Sequence, residues 1–397
     1  MANYLSITDE QKKHMFDNLG VKNLDDLFCD IPKNLWLRKL NIAPGVSEQE
    51  AFEMIEKLAN ANQTYDIILR GAGAYHHYIP PVVKRLSNKL TPNAMHALEL
   101  EKMLCELTGL ENTSIAFSSG AAASAEGILM CEENIKKSVV IPTNINPQTL
   151  HLIKTSLEYR KFNIIELAHK EGFFDYDALK ELLNTQKDNI SCVYFEEVNY
   201  FGLIEDVEEI ARLAKASDVK IIMSVHPIAS AVLKAPSEYG VDIVVGSLQS
   251  LGLSLNYGGA YLGFVSCNDK DKLLPHSIIS RNALIASLYL AAMGPRGLID
   301  VAISCASLAH YAAENFVFKA GASLKYSIIQ SGQVTKGEFF NEFVTVHKSK
   351  AANILRKLEK EGILGGLELD KHEILWCFSE MTTKEEIDKV VEIVRRA

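Results

Sequence analysis

The spacing of apolar residues changes along the chain. Over residues 1–65 they recur at helical intervals. In "SITDEQKKHMFDNLG" Ser6 or Thr8 can cap a helix, acids fill its first turn and Gly20 stops it. "GVSEQEAFEMIEKLANAN" carries a capping box at Ser47 and Glu50. This predicts a helical arm with an apolar stripe to bury, as suits packing on a partner subunit.

From Ala94 onward the pattern is different. Apolar runs such as "TSIAF", "SVVIP", "ISCVYFEE", "KIIMSV" and "DIVVGS" alternate with helical stretches, and "GGAYLGFVS" completes the series. Strands that are apolar throughout and alternate with helices predict a mostly parallel sheet covered on both faces. The α/β domain is expected over 66–315 and includes a long helical stretch from Ala283 through Tyr311 and beyond. "FFNEFVTVHK", a helix, "EILWCFS" and a last helix predict a small C-terminal α+β domain over 316–397.

Composition narrows the class. At 48% hydrophobic and 23% charged, the chain can build a full core and is not disordered. A net charge of -9 without a basic cluster excludes nucleic acid as the main partner. The seven cysteines are scattered, odd in number and without a CxxC pair, which fits a reducing cytosol. No apolar signal core or membrane-spanning run is expected, so the reading is soluble and cytoplasmic, with no membrane partner.

Three stretches can carry chemistry. In "FSSGAAASAEG", Ser118, Ser119, Gly120 and Ala121 form a turn at a helix N-terminus. Its free N–H groups suit a cofactor phosphate, or the turn only joins strand to helix. His226 lies just past a buried strand, where it can touch a ring or move a proton, or serve structure alone. Tyr75, His76, His77 and Tyr78 cluster in "GAGAYHHYIPP", as an active-site rim or a packed corner. No further ligand at a fixed spacing accompanies the histidines, so no metal is expected.

The ordered segments "GAGAYHHYIP", "CELTGLENTSIAFSSGAAASAEG", "NYFGLIED", "APSEYGVDIVVGSLQSLGLSLNYGGAYLGF", "ALIASLYLAAMGPRGL" and "SEMTTKEEID" resemble the glycine cleavage system P-protein, glycine decarboxylase. The likeness is to its subunit 1 in organisms that split the enzyme in two. It implies the type I fold of pyridoxal-phosphate (PLP) enzymes and a heterotetramer with subunit 2. That partner would carry the cofactor lysine, so PLP would not be bound covalently to this chain. The pair would decarboxylate glycine and pass the aminomethyl group to a lipoyl carrier (H-protein-like), with the cofactor as electron sink. The isolated chain is then expected to be inactive.

In this resemblance the lysine turn corresponds to Leu248, Gln249 and Ser250, so the lysine is absent. Asn199 and Thr91, from the matching segments, join Tyr75, His76, His77 and His226 as pocket candidates. The chain also departs from the family pattern. A segment after "HYIP" is shortened, keeping Thr91 and Pro92, and a second is nearly missing between Leu274-Pro275 and Asn282. His226-Pro227 stands where Asp-Pro is usual, and "SSGAAA" replaces Asp-Gly-Ala-Thr. Two other readings stay open: a divergent subunit of another PLP-dependent amino-acid-modifying complex, and a non-catalytic scaffold subunit.

Overall fold

The structure is a computed structural model describing residues 6–397, apart from 38, 133–136, 161, 257–258, 270, 272, 274–278 and 331–332. It divides into two compact units, Met1–Gln63 and Thr64–Ala397.

In the first unit the helix Asp9–Leu19 starts at Thr8, whose side chain and that of Gln11 cap each other's backbone. It ends at Gly20, left-handed at φ 67°, a conformation that a Cβ disfavours. Ser47 and Glu50 cap Glu48–Asn60 in the same reciprocal way. Neither helix buries a residue, and Leu19, Phe28, Leu35, Phe52, Ile55 and Leu58 are exposed. Within this unit the apolar stripe read from the sequence is not packed into a core.

The second unit is built on a seven-stranded sheet. Its strands are β1 (Asn112–Phe117), β2 (Ser138–Pro142), β3 (Asn163–Leu167), β4 (Ile190–Glu196), β5 (Lys220–Val225), β6 (Ile243–Ser247) and β7 (Gly263–Cys267). Their order is β1-β7-β6-β5-β4-β2-β3. Only β7 runs antiparallel to its neighbours. Successive side chains enter cores on opposite faces. Phe195, Met223 and Val244 point to one, and Tyr194, Ile222 and Val245 to the other. Burial on both faces explains why these strands are apolar throughout. The run "GGAYLGFVS" becomes strand only from Gly263.

Towards the C-terminus, β8 (Ser323–Leu324), β9 (Glu342–Val346), β10 (Leu367–Asp370) and β11 (Glu373–Cys377) form an antiparallel sheet in the order β10-β11-β9-β8. The helices Ala351–Lys360 and Lys384–Arg395 pack on it around Phe343, Trp376, Leu358 and Val390. The sequence reading had two strands here. The others are two and four residues long and take their conformation from their neighbours. Ile67–Ile68 pairs in parallel with Ile363–Leu364, tying the start of this unit to its end.

One sequence expectation is corrected. The helix Arg281–Phe318 has 38 residues and an apolar stretch long enough to cross a membrane, whereas no such segment was expected. Gly294 breaks its helical path, Pro295 follows, and Leu284, Tyr289, Ala302 and Phe316 fill the cores of this unit.

Candidate functional site

A cavity of about 310 Å3 lies at the carboxyl ends of β4, β5 and β6, where open α/β sheets hold their ligands. The strand ends supply Glu196, Ser224 with His226 just beyond, and Ser247 followed by Gln249 and Ser250. Two helix starts line it as well. Gly120 and Ala121 open Gly120–Leu129, and Gln148 and Thr149 stand in the first turn of Pro147–Glu158. Ser119 caps the first of these, its Oγ accepting the Ala122 N–H at 3.2 Å. Gly120 is needed by close approach, since a Cβ there would meet Ser247 Cβ and N at 2.9 Å.

Gln249 is fully committed to the backbone. Its Oε1 accepts the Tyr75 N–H at 2.7 Å, and its Nε2 donates to the carbonyls of Tyr75 and Leu253 at 3.0 and 2.9 Å. A lysine could not accept from Tyr75. Ser250 is buried beside it, and its Oγ has no hydrogen-bond partner. Tyr75 is held again at its hydroxyl, which donates to Glu342 Oε2 at 2.9 Å.

His226 packs edge-on to Tyr75, with centroids 4.6 Å apart. Burial, with the nearby His77, lowers its pKa to about 3, so the ring is neutral at ordinary pH. Nδ1 accepts the Ala229 N–H at 3.4 Å. The proton therefore sits on Nε2, which is buried and unpaired.

Two carboxyls share this space. Glu342 accepts the Ala72 N–H at 2.7 Å as well as the Tyr75 hydroxyl. Glu196 accepts the Asn146 N–H at 3.1 Å. Burial raises Glu342 to about 7, and burial together with the Glu342 charge raises Glu196 to about 8. Near neutrality the pair retains protons.

The structure gathers Tyr75, Ser119, Gly120, Ala121, Asn199, His226, Gln249 and Ser250 around one cavity. Asn199 borders it with its amide spent, donating to Glu205 Oε1 and the Gly172 carbonyl and accepting from Phe201 and Leu203 N–H. Ser118 and Thr91 are exposed and do not line the cavity. Nor does half-buried His76, whose carbonyl accepts from Ser379 Oγ at 2.6 Å. His77 is buried beside the cavity, with Nδ1 2.8 Å from Glu380 Oε2, and the Cys305 thiol donates to the same oxygen at 3.3 Å.

The reason given for expecting no metal, the lack of further ligands, is thus corrected. Cys305 and Glu380 meet His77 from far along the chain. Burial pushes the Cys305 thiol up, so it stays protonated, and His77 and Cys305 each hydrogen-bond Glu380. Glu196 and Glu342 were missed. An acid ending the apolar run "ISCVYFEE" was the available signal for Glu196, and Glu342 has none nearby in sequence. The shortened segment at Leu274-Pro275 lies in 274–278, outside the described residues.

Residues 2–281 match the family model described as glycine cleavage system P-protein. The chain belongs to that family. It is 32% identical to the "Probable glycine dehydrogenase (decarboxylating) subunit 1" of Desulfitobacterium hafniense, covering 98% of each chain. It is 31% identical to the protein of that name in Moorella thermoacetica, covering 99% of each. Both alignments span 451 positions against 397 residues here, so these relatives carry residues without a counterpart in this P-protein chain.

The fold matches an inhibitor-bound glycine decarboxylase (P-protein) of the glycine cleavage system, with a TM-score of 0.85 at 23% identity over 99% of each chain. An alanine–glyoxylate aminotransferase from Nostoc also matches, with a TM-score of 0.64 at 14% identity over 84% of this chain and 95% of that one. This is the type I fold of PLP enzymes.

The lining fits only part of that cofactor. The Ser119–Gly120–Ala121 turn suits a phosphate. Among the described residues no lysine lines the cavity, and neutral His226 offers no carboxylate to a pyridinium nitrogen. A covalently held PLP does not fit the described lining of this cavity.

Two outcomes follow from these contacts. Gln249→Ala leaves three buried backbone groups unpaired and should cost about 2–4 kcal/mol in urea unfolding. A carboxyl whose pKa is raised by folding binds protons more tightly in the fold than in the unfolded chain. Stability therefore falls as pH rises from 4.5 through about 8 for Glu196. Glu196→Gln should remove roughly 1–2 kcal/mol of that decline between about pH 6 and about pH 8, measured by urea midpoints at each pH.

Proposed function

We propose that this chain is the subunit 1 component of a two-subunit glycine decarboxylase whose PLP is carried on a lysine of the partner. The reading is carried by Gln249, which stands at the lysine turn and is bound on both sides to Tyr75. Family membership and the subunit 1 relatives support the same division of labour. In the partner's pocket glycine loses its carboxylate as CO2. The aminomethyl group joins one sulfur of a lipoyl disulfide on a carrier protein, and the other sulfur leaves as a thiol. The cofactor would supply the electron sink for the loss of CO2.

This subunit completes the assembly without reacting covalently. The uncovered apolar residues of the arm, Leu19, Phe52 and Ile55 among them, suit burial on that partner. The absence of disulfides among its described residues agrees with a cytoplasmic complex.

Co-expression with a lysine-bearing subunit 2 tests the proposal. The co-purified complex should hold PLP by absorbance and release CO2 from glycine in the presence of a lipoyl carrier. This chain incubated alone with PLP should do neither, and full activity of the isolated chain overturns the reading. Deleting residues 1–63 should weaken association at least tenfold in analytical ultracentrifugation; unchanged association would remove the arm from the interface.

A further inference from the structure

Gln249 replaces a lysine without filling the cavity, which keeps its volume of about 310 Å3. Among the described lining residues there is no lysine or arginine, so an anion there has only backbone N–H groups and neutral side-chain donors to hold it. The two helix starts are not equivalent. At Pro147–Glu158, Glu196 already accepts the Asn146 N–H, and Asn146 Oδ1 accepts that of Gln148. At Gly120–Leu129, ten residues long, Ser119 takes the Ala122 N–H, and among the described residues no acid accepts from the Gly120 or Ala121 N–H groups. That leaves one open anion site.

A second, independent observation lies in the same lining. His226 Nε2 and Ser250 Oγ belong to residues only 9% and 3% exposed, and neither atom has a partner. Buried polar groups are rarely left unpaired, and a ligand can complete them where the protein does not. The third element is the Glu196 and Glu342 pair, two carboxyls facing one space without a cationic side chain. An ammonium group placed there would supply the cation whose absence lets the pair keep its protons.

We infer that this cavity binds a small zwitterion non-covalently, a primary amine that also bears a phosphate or carboxylate. Its anionic group rests on the Gly120 and Ala121 N–H groups and its ammonium lies between Glu196 and Glu342. His226 Nε2 and Ser250 Oγ bond to the atoms between. Such binding makes this chain a ligand-binding subunit in its own right.

Calorimetric titration of the isolated full chain tests this with four probes: phosphoethanolamine, glycine, inorganic phosphate and ethylamine. The expected result is that one zwitterion binds at least tenfold more tightly than either single ion. Preference for phosphoethanolamine identifies the anion as phosphate, and preference for glycine identifies it as carboxylate. Ala121→Asp puts a fixed negative charge in the first helical turn, where it favours the helix. It should keep the thermal midpoint and weaken binding at least tenfold.

Glu196→Gln should reduce the advantage of the zwitterion over inorganic phosphate at least threefold. No binding by any probe, equal binding of zwitterions and single ions, or affinities unchanged in both variants would overturn the inference. The titration needs neither partner nor turnover, so its failure is distinct from failure of the decarboxylase reading.

Discussion

Residues 69–80 run through the interior of the second unit with almost no regular structure, and buried backbone of that kind must find partners elsewhere. It finds them in side chains and strands from distant parts of the chain. Asn146 donates to the Ala72 carbonyl, and Glu342 accepts from its N–H. Gln249 closes on both sides of Tyr75, Ser379 on the His76 carbonyl and Glu380 on the Tyr78 N–H. The Leu69 N–H and carbonyl pair with Leu364 and Cys377. Each residue that shapes the cavity from this side is thus fixed by the requirement to satisfy a strap that makes no regular hydrogen-bond ladder of its own.

That requirement gives Gln249 a role of its own. Its amide both accepts and donates, which a lysine ammonium cannot do. A lysine at this position would therefore forfeit the clamp on Tyr75. His226 behaves similarly, because its neutral ring packs on Tyr75 in a place where a carboxylate would need a cation to stay charged.

Much of the scaffold was legible because its signals are local. Thr8, Gly20 and Ser47 mark helix ends by residue type alone. The runs that became β2, β4 and β5 could be read because burial on both faces removes polar residues from them. Strand ends were legible too, which is why His226, Ser119 and Gln249 were found near the cavity. The rest depends on contacts across the chain. Tyr75 meets Gln249 over 174 positions, and His77 meets Glu380 over 303. No local pattern records such a pairing, so Glu342 and Glu380 went unnoticed and Asn199 looked available. Thr91 was misplaced because its segment resemblance carried no information about which way the shortened connection turns.

The partners of the strap also impose an order on biogenesis. Ser379 and Glu380 are made long after the strap and close contacts 303 and 302 positions long. Loop closure on that scale is slow compared with pairing along the sheet. During synthesis the seven-stranded sheet can assemble before the strap acquires its last acceptors. Until then an apolar, unsatisfied stretch faces water. The nascent subunit therefore passes through an interval in which chaperone capture competes with the arrival of the strap's last partners.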